Sequence, residues 1–485
     1  MPQSGPFRKV LVANRGEIAV RVMRTLREMD IAAVAVYSDV DRSAPHVRKA
    51  DEAVRIGSYL KIDGILDAAQ KTGADAVHPG YGFLSENAEF AQACTTAGIK
   101  FIGPSAEAIR RMGSKTEARK VAVASGAPVV PGTDTDVRQF AQTAQYPVML
   151  KAVAGGGGKG MRRVDREEDF ESSLATASSE AAAAFGNPAI YVEKLIERPR
   201  HIEIQVIGDE HGSMIHLGER ECSIQRRHQK IIEECPSPLT AIDPTLRERM
   251  GQAAVAAAQS AGYYNAGTIE FLVDQQGKFY FLEMNTRLQV EHPVTEMVTG
   301  LDLVRMQVEI AGGAKLALRQ DQVEWRGSAI ECRVYAEDPD QQFFPSPGRI
   351  TQYAEPAGPG VRVDSGVFAG WTVPLDYDPM LAKLAVWAGT REQAAARLRR
   401  ALSEYQVLGI KTNIGFFEEL MGDAEFLAGE LDTGFLERYF ARRVERTVSE
   451  ADRALAAEAW KRARKRPQAA AQPVSNWKLA GRVHD

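Results

Sequence analysis

Glu270 and Glu283 sit on two alternating stretches, Thr268 to Val273 and Phe279 to Glu283, that read as the arms of a β-hairpin. A two-residue turn at Gln276-Gly277 places these glutamates directly opposite each other on one face, with Cβ atoms roughly 5 Å apart. Two carboxylates that close repel unless a cation lies between them. Asn285 follows Glu283 by two and shares the face. Glu, Glu and Asn offer hard oxygen atoms, the set that suits Mg²⁺ or Mn²⁺ carrying a nucleotide's phosphates. The plain alternative is two exposed glutamates on an edge hairpin, and a turn one residue longer or shorter would undo the pairing. The metal is favoured because neighbouring motifs call for phosphate.

The clearest of these is the tract from Lys151 to Gly160, with five glycines in six positions between and beside two lysines. Backbone N–H groups in such a tract approach phosphate oxygens with no Cβ in the way. The tract follows the apolar strand Val148 to Lys151, as a phosphate loop should, yet no G-K-[ST] closes it, so it is not a Walker A loop. A flexible linker is the bland reading, a flap closing over nucleotide the sharper one. Gln225 to Lys230 packs four potentially cationic groups into six positions and reads as a local anion site on a strand edge facing a cleft. If Arg287 to Glu291 is extended, Arg287, Gln289 and Glu291 share one face and Leu288 and Val290 the other. A small oxyanion could then dock on Arg287 while Glu291 takes its proton; a half-buried strand with a salt bridge has the same pattern. His201 is either a nucleotide contact or a satisfied structural histidine.

These groups need a scaffold of several domains, and 485 residues suffice for about three. Hydrophobic residues at 44% and charged residues at 26% exclude a disordered or fibrous chain. A net charge of −4 makes bulk-charge binding of nucleic acid a poor reading. Cys94, Cys222, Cys235 and Cys332 have no metal or redox spacing, the N-terminus is not a signal peptide, and no apolar run reaches membrane length. A cytoplasmic protein is expected. Val10 to Ala13, a helix with Ile18, Val22 and Leu26, and Ile31 to Tyr37 form a β-α-β pattern that implies a doubly wound parallel sheet. That first domain ends near Gly113, a change of texture at Ala329 starts a β-rich third domain, and a helical, then basic tail follows Ala441.

Several strings, taken together, carry a family resemblance: Leu11 to Ala19, His78 to Asn87, the glycine tract, Gln225 to Lys230, and Glu283 to Glu296. Over roughly residues 7 to 445 the chain resembles the biotin carboxylases of the ATP-grasp superfamily. The resemblance implies an α/β fold with an N-terminal parallel-sheet domain (1–113), an ATP-grasp domain (114–328) with a mobile lid at about 128–195, a C-terminal β-rich domain (329–445), and a tail (446–485). It implies that Lys115, Lys151, Gly157, Gly158, the hinge Glu193, Lys194, Leu195 and Ile196, His201 and His228 bind ATP. Glu270, Glu283 and Asn285 would hold metal; Lys230, Arg287, Gln289, Val290 and Glu291 would cradle bicarbonate, with Glu291 as base. Arg333 would stabilise the biotin enolate, and Tyr81 would contact biotin. No Met-Lys-Met-type biotinylation site is present, so biotin is expected on a separate biotin carboxyl carrier protein. The further expected partners are a second copy of the chain, in a homodimer, and a carboxyltransferase subunit. Another ATP-grasp ligase would share the glycine tract and the metal hairpin without needing Arg287, Gln289, Glu291 or Arg333. A non-catalytic scaffold would have lost some of these residues.

Overall fold

The structure, a computed structural model, describes residues 5–144, 146–153, 161–443 and 450–464. The chain divides into two compact units, Met1–Leu436 and Glu437–Asp485. Among the described residues no helix is long and apolar enough to cross a membrane. The second unit includes the helix Glu450–Arg464.

The first unit opens with five parallel strands, β1 (Lys9–Val12), β2 (Ala32–Tyr37), β3 (Glu52–Arg55), β4 (Ala76–His78) and β5 (Lys100–Phe101), in the order β3-β2-β1-β4-β5. Helix α1 (Gly16–Glu28) buries Ile18, Val22 and Leu26 at intervals of four, the stripe expected of a crossover helix. The order reverses between β1 and β4, and ligands of open parallel sheets bind beyond the strand ends at such a point. Two of the family strings leave the sheet there, Asn14-Arg15-Gly16 after β1 and Pro79-Gly80-Tyr81 after β4. Asn14 Nδ2 donates to the carbonyls of Pro79 and Tyr81, each at 2.8 Å. Gly80 has φ 64°, and a Cβ there would lie 2.9 Å from that nitrogen, so only glycine fits under the clamp.

Helix α2 (Lys115–Ala124), capped by Ser114, leads into a four-stranded antiparallel sheet of β6 (Gly132–Thr133), β7 (Val148–Ala152), β8 (Met161–Val164) and β9 (Ile190–Lys194), in the order β6-β9-β7-β8. Helix α3 (Phe170–Phe185) covers it, burying Phe170, Leu174, Ala177 and Ala181 against Val148, Leu150, Val164 and Val192.

A single antiparallel sheet of eight strands carries the polar motifs. Its strands are β10 (Arg200–Gly208), β11 (Met214–Arg226), β12 (Gln229–Cys235), β13 (Asn265–Val273), β14 (Phe279–Asn285), β15 (Ser328–Tyr335), β16 (Val361–Ser365) and β17 (Met380–Ala388). Their order is β14-β13-β10-β11-β12-β15-β17-β16. The pairing of β12 with β15 carries hydrogen bonding unbroken past residue 328. The two faces differ sharply in chemistry. Ile202, Ile204 and Val206 of β10 and Ile269 and Phe271 of β13 join α4 (Leu246–Ser260), whose Ala254, Ala257 and Ala258 let the helix sit close on the sheet. The opposite face at the same level is polar and equally buried: Glu203, Gln205, Arg220, Thr268 and Glu270.

Candidate active site

The hairpin forms with Glu270 opposite Glu283, as expected, but by a different route. Asp274 N–H bonds to Lys278 O and Gly277 N–H to Asp274 O, so three residues, Gln275 to Gly277, form the loop instead of two. That register runs Val273↔Phe279, Leu272↔Tyr280 and Phe271↔Phe281, and alone would set Glu270 against Leu282. A β-bulge between Glu270 and Phe271 restores the pairing with Glu283. The longer loop and the bulge offset each other, and the bulge falls at the site.

Glu270 is 4% exposed and is held mainly through one oxygen. Its Oε1 accepts from Lys230 Nζ at 2.7 Å and Asn285 Nδ2 at 2.8 Å. Its Oε2 lies 3.0 Å from His201 Nε2, close but poorly aimed for a hydrogen bond. Burial would raise the Glu270 carboxyl, yet Lys230 and His201 prevail and hold it well below its usual range. Glu283 stands exposed at the rim, with no hydrogen bond or ion pair among the described residues. Its surroundings, and then the charge of Glu270, push it up. An unpartnered carboxylate facing an ionised one, with the Asn285 amide beside them, fits a divalent cation at the hairpin.

Lys230 organises the interior of the site. Its ammonium lies 2.5 Å from Glu203, 2.7 Å from Glu270 and 2.8 Å from Glu291. Burial alone would lower its pKa; the three carboxylates outweigh this and hold it well above its ordinary value. Ligand atoms of His201, Glu203 and Glu270 lie within 4.8 Å of one another, as do those of Glu203, Cys222 and Glu291. The ammonium already bonds to the carboxylates in both groups, so the hairpin is the better place for a metal.

Glu203 was not singled out from the sequence, nor was Arg220, which donates to it at 2.5 Å and to Gln205 and Thr295 at 2.7 and 2.9 Å. The available signal was the alternation His201, Glu203, Gln205 against Ile202, Ile204, Val206 in β10. Such alternation ordinarily marks a solvent face, and here it marks a second interior.

Residues 286–291 are irregular, not the extended strand expected. Glu291 is instead the N-cap of α5 (His292–Thr299). The expected partners meet all the same. Arg287 Nη1 donates to Gln289 Oε1 at 2.6 Å, Arg287 Nη2 to Asn285 Oδ1 at 3.1 Å, and Gln289 Nε2 to Glu270 Oε1 at 3.4 Å. Arg287 Nε donates to Glu86, in the string after β4, at 3.0 Å. Glu291 is wholly buried between Lys230 and Arg333, whose Nη2 donates to it at 3.0 Å. Burial would raise Glu291, but Lys230, Arg333 and Arg220 keep it ionised, well below the usual carboxylate range. The Val290 carbonyl accepts from Lys383 Nζ at 2.7 Å, and that ammonium lies 5.8 Å from the centre of the Tyr81 ring. Lys383, 1% exposed, is another residue the sequence reading passed over.

The basic hexapeptide is not at a strand edge. It forms the tip of the β11–β12 hairpin, with Gln225 opposite Lys230 and Arg226 opposite Gln229. Arg227 and His228 form a two-residue loop with φ of 50° and 67°, positions that asparagine and glycine usually fill. Both side chains are exposed at the hairpin tip, and the left-handed backbone they adopt is strained. Other expected nucleotide ligands show contacts elsewhere among the described residues. Lys151 pairs with Glu193 at 2.5 Å on the smaller sheet. Lys194 N–H bonds to Pro131 O and Leu195 N–H to Pro147 O, Ile196 is buried, and Lys115 opens α2. Gly157 and Gly158 lie outside the described residues.

Three family models tile the chain: the biotin carboxylase N-terminal domain over residues 6–109, the ATP-binding domain of the carbamoyl-phosphate synthase L chain over 110–319, and the biotin carboxylase C-terminal domain over 331–438. Fold, site and matches define an ATP-dependent ligase built on an ATP-grasp domain. The central model alone would also admit the carbamoyl-phosphate type of enzyme; the flanking two do not. The chain is 54% identical over 443 residues to the biotin carboxylase of Nostoc sp., which covers 89% of this chain and 99% of that one. It is 53% identical over 445 residues to one subunit of the pyruvate carboxylase of Methanothermobacter thermautotrophicus, covering 89% and 90%. Among solved structures, the biotin carboxylase domain dimer of Hydrogenobacter thermophilus 2-oxoglutarate carboxylase, in complex with MgADP, ADP and bicarbonate, matches with a TM-score of 0.85 at 47% identity, covering 90% and 99%. The chain belongs to the biotin carboxylase family.

Proposed function

We propose that the protein carboxylates biotin on a separate carrier protein, using ATP and bicarbonate by way of carboxyphosphate, as a subunit of an acetyl-CoA or other acyl-CoA carboxylase in the cytoplasm. The supporting observation is the continuous series of contacts from Arg287 through Gln289, Glu270, Lys230 and Glu291 to Arg333. Three cations, an amide and two carboxylates are lined up there, with the cations and the amide placed for one small oxyanion. In this reading residues 114–328 are the ATP-grasp core with 128–195 as its lid, and 1–113 and 329–445 supply the biotin side.

Lys230, Arg287, Gln289 and the backbone at Val290 seat bicarbonate. Glu291 stands ionised and takes the bicarbonate proton. The same cations that keep it ionised make it a weak base, and an anion seated on them competes for their charge and raises its proton affinity. Bicarbonate oxygen then attacks the γ-phosphorus of ATP, whose phosphates are met by Lys115, Lys151, His201, His228 and the glycine tract; the bond to the bridging oxygen breaks, ADP leaves and carboxyphosphate forms. Glu270, Glu283 and Asn285 would hold Mg²⁺ or Mn²⁺, which offsets charge on the transferring phosphoryl group when bound. Carboxyphosphate splits to CO₂ and phosphate, phosphate takes the N1 proton of biotin, and Arg333 receives the biotin oxygen as it becomes the enolate that attacks CO₂.

A dimer and a carboxyltransferase partner complete the proposal; the first is supported by the dimeric Hydrogenobacter domain. The pyruvate carboxylase relative, almost as similar as the Nostoc enzyme, supports a second reading in which pyruvate is the final acceptor. Phosphate release tests the core proposal, measured with Mg-ATP and bicarbonate, with and without free biotin. Bicarbonate-dependent turnover stimulated by biotin is expected. Stimulation by an amine or amino acid instead would overturn it in favour of another ligase, and bound ATP without turnover would leave a scaffold.

A further inference from the structure

Arg333 is held by two carboxylates through different nitrogens. Nη2 donates to Glu291, and Nε donates to Glu233 Oε1 at 2.7 Å. Glu233, on β12, is 0% exposed, and its Oε2 has no hydrogen-bond partner among the described residues. Directly across on β15 is Glu331, equally buried, with neither oxygen hydrogen-bonded among the described residues. Burying a carboxylate beside a second carboxyl is costly and is not explained by stability alone. Glu233 reaches Arg333 along the diagonal of the strand pair, which fixes where the guanidinium can stand.

The bicarbonate step alters this arrangement. When the bicarbonate O–H proton moves to Glu291, that group becomes a neutral acid and its charge-assisted hold on Nη2 weakens. Without a second anchor, Arg333 would be free to change rotamer at the moment its charge is needed. We infer that Glu233 is a positioning residue for the biotin step, holding Arg333 by Nε so that Nη2 passes from Glu291 to the enolate oxygen of biotin. The inference rests on the biotin carboxylase reading given above.

The surroundings of Glu233 make its role dependent on pH. Arg333 and Glu331 face it from β15, Cys222 from β11, Lys230 from its own strand and Glu291 from the start of α5. Burial pushes its carboxyl up to about 7, against the pull of Arg333. Below that pH it takes a proton and its grip on Nε changes from an ion pair to a neutral contact. Biotin-dependent turnover therefore falls as pH drops through this range.

The test compares wild type with E233Q, an isosteric change whose amide oxygen can still accept from Nε. Phosphate release is measured with bicarbonate alone and with added biotin, from pH 6 to 8.5, on full-length protein. Biotin-dependent kcat/KM should fall on the order of tenfold to a hundredfold, with bicarbonate-dependent turnover lacking biotin kept within about twofold. The acid limb near neutrality should disappear from the biotin-dependent profile. Loss of both activities in proportion, loss of neither, or an unchanged acid limb overturns the inference. A second comparison guards against a merely destabilised variant: in an R333K background, E233Q should add no further loss, and an additive loss overturns the inference as well. A wild-type enzyme that biotin does not stimulate refutes the underlying reading instead, and the inference with it.

Discussion

Replacing Lys230 with methionine removes one ammonium and leaves Glu203, Glu270, Glu291 and Glu233 facing only the guanidinium groups of Arg220 and Arg333, with His201 beside Glu270. Removing one partner from a buried ion pair costs about 3–5 kcal/mol, because the remaining charge has neither water nor counter-ion. Three carboxylates lose a partner here, but not three times over, since one of them can take a proton. Glu203, already pushed up by burial, is the first candidate. The net loss should fall within that same range of about 3–5 kcal/mol and should depend on pH. In the variant the folded-state carboxyl pKa lies above its unfolded value, so stability is retained in acid and lost as pH rises towards neutrality. The wild type shows the same dependence more weakly, because the charged Lys230 opposes the rise of Glu203. For a unit of this length the loss corresponds to a melting temperature lower by roughly 3–5 °C at pH 8, with a smaller difference at pH 5. Scanning calorimetry at both pH values measures it, and MgADP should narrow the gap by supplying cations. Melting within about 1 °C of wild type at pH 8 would refute the assignment of Lys230 as the counter-charge of the cluster.

Three further perturbations probe separate parts of the site. E291Q should lower biotin-dependent turnover by about 10²–10⁴-fold while leaving ADP affinity, measured by calorimetric titration, near wild type. E283Q should raise the Mg²⁺ concentration needed for half-maximal turnover about tenfold, and should not lower the metal-free melting temperature, since it removes a like charge opposite Glu270. Arg227→Asn combined with His228→Gly should relieve about 1–3 kcal/mol of strain at each left-handed position and raise the melting temperature, yet weaken ADP binding in the same titration.

Motifs and local periodicity were legible without any coordinates. The α1 stripe of Ile18, Val22 and Leu26, the parallel N-terminal sheet, the strand before the glycine tract and the two arms of the Glu270–Glu283 hairpin follow from residue type and spacing, because they depend on neighbours close in the chain. The hairpin shows the limit of that reasoning: its loop is longer than expected, and a bulge compensates. No rule of spacing yields the bulge. The segment 286–291 shows the limit again. Alternation suggested a strand, whereas contacts with Glu86, Glu270 and Lys383, all remote in sequence, shape an irregular loop ending in a helix cap.

What the amino-acid order determined by itself was the inventory of chemical groups and the elements that bear them. Tertiary structure alone decided which charges share a dry interior. Glu203 looks like an ordinary solvent-facing position in an alternating strand, and nothing in the local pattern around Arg220, Glu233 or Lys383 marks them as buried charges. They become the electrostatic frame of the site because the polar face of the eight-stranded sheet is covered, and the charge state of a buried group is set by neighbours in space.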